Sequence, residues 1–250
     1  MKYIEYEKKK HIAIVTMNRP EKLNAINLEM SKELTQVWQD FDMDDALRVA
    51  VLTGKGRGYC VGLDMKEMTE GKLHPTFLQT MKPLSFSPAS QSKPVIAAIN
   101  GAAMGAGFDF MVFDADLVVA VEEAMFGMPE VCFGMASLGS PFGAAKISKW
   151  LSMEIVLTGD PLTAKRAYEI GLVNRVVPKA KLMETALEFA TRIASNCPVA
   201  VRLSRRSQLR AYAPRESARI EETFAAGEPD MLEAEAKGIS AFAEKRTIEW

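Results

Sequence analysis

Apolar residues occur along this chain in two patterns, short continuous runs and longer stretches with helical spacing. The runs are rich in Val, Ile and Ala and are bounded by Gly, Pro or polar residues, which is typical of buried strands. Such runs predict strands at residues 12–17, 49–53, 95–100, 117–120 and 173–177. Helical stretches lie between them, and strands that alternate with helices predict an α/β protein with largely parallel strand pairing.

The helical stretches carry recognisable start and stop signals. Asn27 is a suitable N-cap for a helix over residues 27–41, and a second helix is predicted to begin near Asp64. Thr163 caps a short helix that Gly171 stops. Further helices are predicted over residues 153–157 and 181–196, and in the glycine-rich stretch between the third and fourth strands.

The pattern beyond Cys197 is helical throughout, with breaks at Pro198, Pro214 and residues 227–229. We therefore predict two regions. Residues 1–196 form the core that carries the activity, and residues 197–250 form a helical region that contributes oligomer contacts.

Composition and charge exclude several classes of protein. Apolar residues make up 48% of the 250 residues and charged residues 25%, as in ordinary globular proteins that bury a substantial core. The net charge of −1 gives no indication of a nucleic acid or membrane partner. No apolar run approaches the roughly 20 residues of a membrane-spanning helix, and the N-terminus has no secretory pattern. These features predict a cytoplasmic protein.

Metal and histidine chemistry are poorly supported. The three cysteines are widely spaced and fit neither a metal site nor a disulfide framework. The two histidines, His11 and His74, lie in a strand-like run and a polar loop. We therefore expect no metal and no resident cofactor.

The most informative motif is the run Gly101-Ala-Ala-Met-Gly105-Ala-Gly107-Phe-Asp109, which follows the third predicted strand. Glycines let a backbone approach a ligand closely, and free N–H groups at a helix start bind negative charge. Asp109 and Glu130 supply carboxyl groups beside such a site. An anion hole with nearby carboxyls suggests carbonyl chemistry through an enolate, although the glycines also allow close helix–strand packing. The spacing fits neither a dinucleotide nor a P-loop motif, and no G-x-S-x-G elbow occurs.

Several segments together resemble the crotonase (enoyl-CoA hydratase/isomerase) superfamily. They cover residues 18–25, 60–68, 93–116, 126–130, 157–178 and 242–246, in family order over almost the whole chain. The resemblance implies a spiral of ββα units with a C-terminal helical region. It also implies a homotrimer or a dimer of trimers.

The resemblance further implies an acyl-CoA substrate, with coenzyme A entering as part of that substrate. Motif by motif, the backbone N–H groups that hold the thioester oxygen fall on Val61 and Ala106. Substrate and coenzyme A contacts fall on Lys22, Ala25, Cys60, Leu63, Asp64, Lys66 and Gly105. Lys245 is placed where it would reach the coenzyme A of a neighbouring subunit. Phe77 and Phe86 lie in the region that shapes the acyl pocket.

Glu130 matches the catalytic glutamate of the hydratases and of several isomerases in this family. Asp109 stands where typical hydratases carry a glutamate, so its side chain is one methylene shorter. Two carboxyl groups in different protonation states divide the work of hydration, one handling the proton and the other the water. Alternatively, Asp109 is a buried polar residue satisfied by backbone N–H groups.

We predict an enoyl-CoA hydratase, with three alternatives left open. A 3,2-enoyl-CoA isomerase needs Glu130 alone. Dienoyl-CoA isomerases share the aspartate at position 109, but they carry a second aspartate where this chain has Leu138. A weakly catalytic relative that binds coenzyme A or RNA is the third. Met135 and Ser137 lie in the same loop as Leu138 and are candidates to line the acyl pocket.

Overall fold

The computed structural model describes residues 1–73, 91–109, 112–137, 147–209, 236–241, 243, 244 and 246. Several predictions fall outside these residues. They concern His74, Phe77, Phe86, Leu138, Pro214, residues 227–229 and Lys245.

A six-stranded sheet forms the centre of the fold. Its order is β1-β2-β3-β4-β6-β9, and only β1 runs antiparallel to its neighbour. The strands are β1 (Ile4–Lys9), β2 (Ile12–Met17), β3 (Val49–Gly54), β4 (Val95–Ile99), β6 (Leu117–Val121) and β9 (Arg175–Val177). The predicted strands and their parallel pairing are confirmed, and β9 is shorter than the predicted run.

A second sheet of three short strands was not predicted. It consists of β5 (Ala103–Met104), β7 (Met125–Gly127) and β8 (Leu162–Thr163), in that order. β5 and β7 are parallel, and β8 is antiparallel to β7. Runs of two or three residues are too short for the period of alternation to be recognised in a sequence.

Seven helices have defined bounds in the described residues. They are α1 (Leu28–Met43), α2 (Met65–Thr69), α3 (Ala106–Asp109), α4 (Lys149–Thr158), α5 (Ala164–Glu169), α6 (Leu182–Ala194) and α7 (Pro198–Leu209). Residues 236–241 are also helical, and Pro129–Phe133 forms a 3₁₀ turn. The predicted caps are confirmed, since Asn27 Oδ1 accepts from Met30 N and the Thr163 side chain from Arg166 N.

The core lies around the middle of the large sheet. Every residue of β3 and β4 is buried, as expected of parallel strands covered on both faces. Helix α6 packs on β3, β4 and β6, and α1 packs on β1 and β2. The Arg205 guanidinium on α7 bonds both carboxylate oxygens of Asp116, at 2.8 and 2.9 Å, and so joins the C-terminal region to the core. No helix among the described residues has both the length and the apolar character to cross a membrane.

Candidate active site

Three parallel segments end together at one edge of the small sheet. Cys60 pairs with Ala103, and β5 pairs with β7 in the register Ala103 to Phe126 and Met104 to Gly127. Because parallel segments present their carboxyl ends at the same edge, the residues that follow them meet there. Residues 61–62, 105–106 and 128–130 are therefore neighbours in space.

Gly107 allows the first two of these segments to touch. A Cβ built at this position would lie 2.1 Å from the carbonyl oxygen of Cys60, a distance that no side chain tolerates. The Cys60 carbonyl in turn accepts the Met104 N–H at 2.9 Å. The sequence leaves open whether this glycine allows close packing or the approach of a ligand. The contact with Cys60 shows that it allows close packing.

Gly105 lies beside the Glu130 carboxyl and bonds the backbone of Asp109. It has a φ of +51°, and a Cβ built there would lie 2.9 Å from Oε1 of Glu130. Its carbonyl oxygen accepts the N–H of Asp109 at 2.8 Å, and its own N–H donates to Gly127 at 2.9 Å. The Glu130 carboxyl therefore lies against the Gly105–Ala106 turn.

The environment of Glu130 favours its protonated form. Burial raises the pKa of this carboxyl, while bonds from its own backbone N–H and from the Ser137 hydroxyl lower it in part. No cation in the described ranges forms an ion pair with it. A carboxyl with a raised pKa beside a polar turn is suited to proton transfer.

The two N–H groups predicted to bind the thioester oxygen differ in their present partners. The Ala106 N–H has no backbone acceptor within the described parts of the chain. The Val61 N–H donates to the carbonyl oxygen of Leu23 at an N···O distance of 3.3 Å, which is longer than an ordinary bond. One donor is thus free and the other is weakly engaged.

Asp109 is almost completely buried, with 4% of its surface exposed. It ends the one-turn helix α3, which begins at Ala106. The same short turn therefore carries a candidate donor and a candidate carboxyl.

A loop over residues 19–27 braces the segment that contains Val61. Ile26 N donates to Gly62 O at 2.7 Å, and Asp64 N donates to Ile26 O at 2.8 Å. A buried ion pair joins Arg19 to Asp64 at 2.5 Å, and Asp64 also caps α2 by accepting from two backbone N–H groups. Burial alone would raise the pKa of Asp64, but these bonds and the Arg19 charge hold it below its ordinary value.

Arg19 is a residue that the sequence reasoning missed. It belongs to the Asn18-Arg19-Pro20 segment that carried part of the family resemblance, but no spacing indicated its partner 45 residues away. Its contacts show that it holds the two loops together.

The predicted coenzyme A and substrate contacts fall into two groups. Lys22 and Lys66 are exposed, and Leu63 is half-buried, so their side chains are accessible. Cys60 is fully buried, and both its N–H and its carbonyl are paired within the chain. Ala25 is also buried. This geometry does not support a direct substrate contact by Cys60, which instead lies behind the site and supports it.

Backbone N–H groups thus lie beside the half-buried Glu130 and the buried Asp109 at the edge of the small sheet, an arrangement suited to an anionic oxygen and to proton transfer. The chain belongs to the enoyl-CoA hydratase/isomerase family, whose model matches residues 7–250.

Among its relatives, the mevalonyl-coenzyme A hydratase of Aspergillus fumigatus is 38% identical over 96% of this chain and 91% of its own. The short-chain-enoyl-CoA hydratase of Clostridium acetobutylicum is 35% identical over 97% of this chain and 95% of its own. The solved carnitinyl-CoA hydratase of Mycobacterium avium is 31% identical, with a TM-score of 0.87 over 100% of this chain and 98% of that one. The predicted family, crotonase fold and hydratase class of enzyme are confirmed.

Proposed function

We propose that this protein hydrates the 2,3 double bond of an acyl-CoA thioester, with Glu130 as the principal acid/base group. One observation carries the proposal. The Glu130 carboxyl, whose pKa burial raises, lies against the same turn as the Ala106 N–H, which has no backbone acceptor among the described residues. Hydration needs both a proton carrier and a donor for the developing enolate oxygen, and this turn offers the two together.

The reaction proceeds through an enolate. The oxygen of water forms a bond to C3 while one of its O–H protons passes to a carboxylate of the site, and the electrons of the double bond move toward the thioester oxygen. The N–H groups of Ala106 and Val61 stabilise that oxygen, and loss of one such donor costs about 3–4 kcal/mol of transition-state stabilisation. A proton is then delivered to C2. The Val61 N–H exchanges its bond to the Leu23 carbonyl for one to the substrate oxygen. Because the bond to Leu23 is long, this exchange costs little free energy.

Asp109 is assigned to the water. Its side chain leaves the same turn as the Ala106 donor, and its N–H is fixed by Gly105. It divides the work with Glu130, which handles the proton. Each general acid or base contributes typically about 10²–10⁴-fold to a rate.

The direct test follows the enone absorbance of crotonyl-CoA with wild-type protein and with Glu130→Gln. We expect rapid loss of absorbance and formation of 3-hydroxybutyryl-CoA in the wild type, and a loss of rate of at least about 10²-fold in the variant. A variant that hydrates at the wild-type rate would refute the assignment of Glu130. A wild-type protein that leaves every 2-enoyl-CoA of a chain-length series unchanged would refute hydration.

The isomerase alternative rests on the same carboxyl. Glu130 alone is able to carry a proton between C2 and C4 of a 3-enoyl thioester. Incubation with 3-hexenoyl-CoA, read as gain of the 2-enoyl absorbance, separates the two activities. Leu138 counts against the dienoyl alternative, because it stands where the dienoyl-CoA isomerases carry their second aspartate, and the nucleic acid alternative finds no support in a net charge of −1.

We also propose that the chain assembles as a homotrimer or a dimer of trimers in the cytoplasm. Trp150, Met153 and Leu157 share one face of α4 and are 79%, 45% and 71% exposed. Val199 and Leu203 form a similar exposed pair on α7. Such apolar faces are typical of interfaces. Light scattering of the purified protein tests the assembly, and a monomer would refute it.

A further inference from the structure

The loop that follows Glu130 returns over its own starting point. The 3₁₀ turn Pro129–Phe133 ends at Gly134, and the Met135 N–H then donates back to the Glu130 carbonyl at 3.0 Å. This reversal brings Ser137 beside the Glu130 side chain, where the serine hydroxyl bonds Oε2 at 3.3 Å.

The two oxygens of the Glu130 carboxyl therefore have different neighbours. Oε2 contacts Ser137, while Oε1 faces Gly105, from whose built Cβ it would be 2.9 Å away. A carboxyl held at one oxygen has its other oxygen oriented as well, because the group is planar and rigid.

We propose that Ser137 is a positioning residue, whose hydroxyl holds Oε2 of Glu130 and so directs Oε1 toward the Gly105–Ala106 turn for proton transfer. The inference rests on the proposed function for its catalytic meaning. Ser137 does not itself touch the reacting atoms in this assignment. It fixes the orientation and the protonation equilibrium of the group that does.

Charged residues lie on the elements around Glu130, but its side-chain hydrogen bond is to Ser137. Asp109 lies on the adjacent helix α3 and is buried. Helix α4, which packs on the 129–133 turn, carries Lys149 and Glu154, and both are exposed. Lys237 on the helical residues 236–241 is exposed as well. Among the causes that shift the pKa of Glu130, Ser137 is the only side-chain bond.

A hydroxyl that donates to a carboxylate favours its ionised form, so its removal raises the pKa of that carboxyl. We expect Ser137→Ala to raise the pKa of Glu130 by on the order of half to one pH unit. The limb of the pH–rate profile that disappears in Glu130→Gln should move upward by the same amount. We also expect kcat to fall about tenfold, because Oε1 is no longer oriented.

The experiment measures this pKa directly by ¹³C NMR titration of protein labelled at glutamate Cδ. The Glu130 resonance is assigned by its absence in Glu130→Gln. Ser137→Cys serves as a second variant, since a thiol is only a weak donor, and Ser137→Thr should restore the wild-type value. Ser195→Ala is the matched control, because it removes a hydroxyl whose partner within the described ranges, the Arg192 carbonyl, lies at the end of α6 and away from Glu130.

A higher Glu130 pKa in Ser137→Ala and Ser137→Cys, with wild-type values in Ser137→Thr and Ser195→Ala, supports the proposal. An unchanged or lower pKa in both Ser137→Ala and Ser137→Cys overturns it, whatever happens to the rate. A loss of rate without movement of the pH limb also overturns it, since a purely structural role would produce that result. If the wild type hydrates no substrate, the proposed function fails, while the titration still decides whether Ser137 controls Glu130.

Discussion

Substitution of Gly105 by alanine tests how far the reaction depends on the position of the Glu130 carboxyl. The new Cβ would lie 2.9 Å from Oε1 of Glu130 and 3.7 Å from its Cδ. Ordinary contacts of a Cβ begin near 3.4 Å, so the carboxylate has to retreat by about 0.5 Å. The oxygen is at the end of a flexible side chain, so it is able to move without disturbing the backbone.

The cost in stability comes almost entirely from the backbone. Gly105 has a φ of +51°, and a residue with a Cβ in this conformation costs about 1–2 kcal/mol. For a domain of this size, each kcal/mol lowers Tm by about 2–4 °C, so we expect a fall of roughly 2–8 °C. A misplacement of about 1 Å costs about 10² in rate, so we expect kcat to fall between about tenfold and 10²-fold.

Gly171→Ala is the matched control for this substitution. Gly171 has a φ of +79°, and a Cβ built there meets no atom within 4 Å. Both variants therefore carry the same kind of backbone strain, but only Gly105→Ala displaces Glu130. Thermal unfolding and steady-state hydration of crotonyl-CoA should show similar losses of Tm and a loss of kcat in Gly105→Ala alone. Wild-type kcat in Gly105→Ala, or an equal loss of rate in Gly171→Ala, would refute the reasoning.

Three further predictions concern other parts of the site. Arg19→Gln leaves the buried Asp64 carboxylate without its ionic partner, so the free energy of unfolding at pH 7 should fall by about 3–5 kcal/mol. Because the folded pKa of Asp64 is lowered, its contribution is present above the ordinary pKa of 3.8 and is lost as the pH falls through the folded value. Urea unfolding at pH 7 and pH 3 should therefore show a smaller pH dependence in the variant, and an equal dependence would contradict this account. Gly238→Ala should lower both kcat and Tm, because its Cβ would lie 1.5 Å from the Phe133 carbonyl oxygen. This clash would push the helical residues 236–241 away from the turn that carries Glu130. Wild-type values in both assays would show that this contact is dispensable. Asp109→Asn should reduce the rate of hydration by about 10²-fold while Asp109→Glu retains it, and an unchanged rate in Asp109→Asn would assign the residue a structural role.

The strands of the large sheet could be predicted from sequence because their environment is uniform. Strands β3 and β4 are buried along their whole length, so each appears as an unbroken apolar run with clear ends. The same reasoning failed for β5, β7 and β8, which are two or three residues long. These strands bring the functional residues together, so the sequence indicated the chemical groups without indicating how they meet.

The contacts that organise the site were predictable only where a family motif contained them. Glu130 and the Ala106 turn belong to such motifs. The Arg19–Asp64 pair and the bond from Val61 to Leu23 join residues 45 and 38 positions apart, and no periodicity relates them. Burial, by contrast, could not be predicted for Cys60. Its place in a substrate-binding motif suggested contact, while the packing that Gly107 allows buries its side chain completely.

One hydrophobic core supports both sheets, since Ala103, Phe126 and Leu162 of the small sheet belong to the same cluster as the strands of the large sheet. This core holds short, irregular segments in place at the edge of the large sheet. The site is assembled from the ends of three such segments, and two of its groups are backbone N–H donors that need room rather than a particular side chain. The donors are thus set by glycine placement and register, whereas proton transfer depends on the side chain of Glu130 and on what orients it. On the proposed assignment, a substitution in the loop after Glu130 alters proton transfer while the backbone donors stay in place, and Ser137 is the position in this chain where such a change should act first.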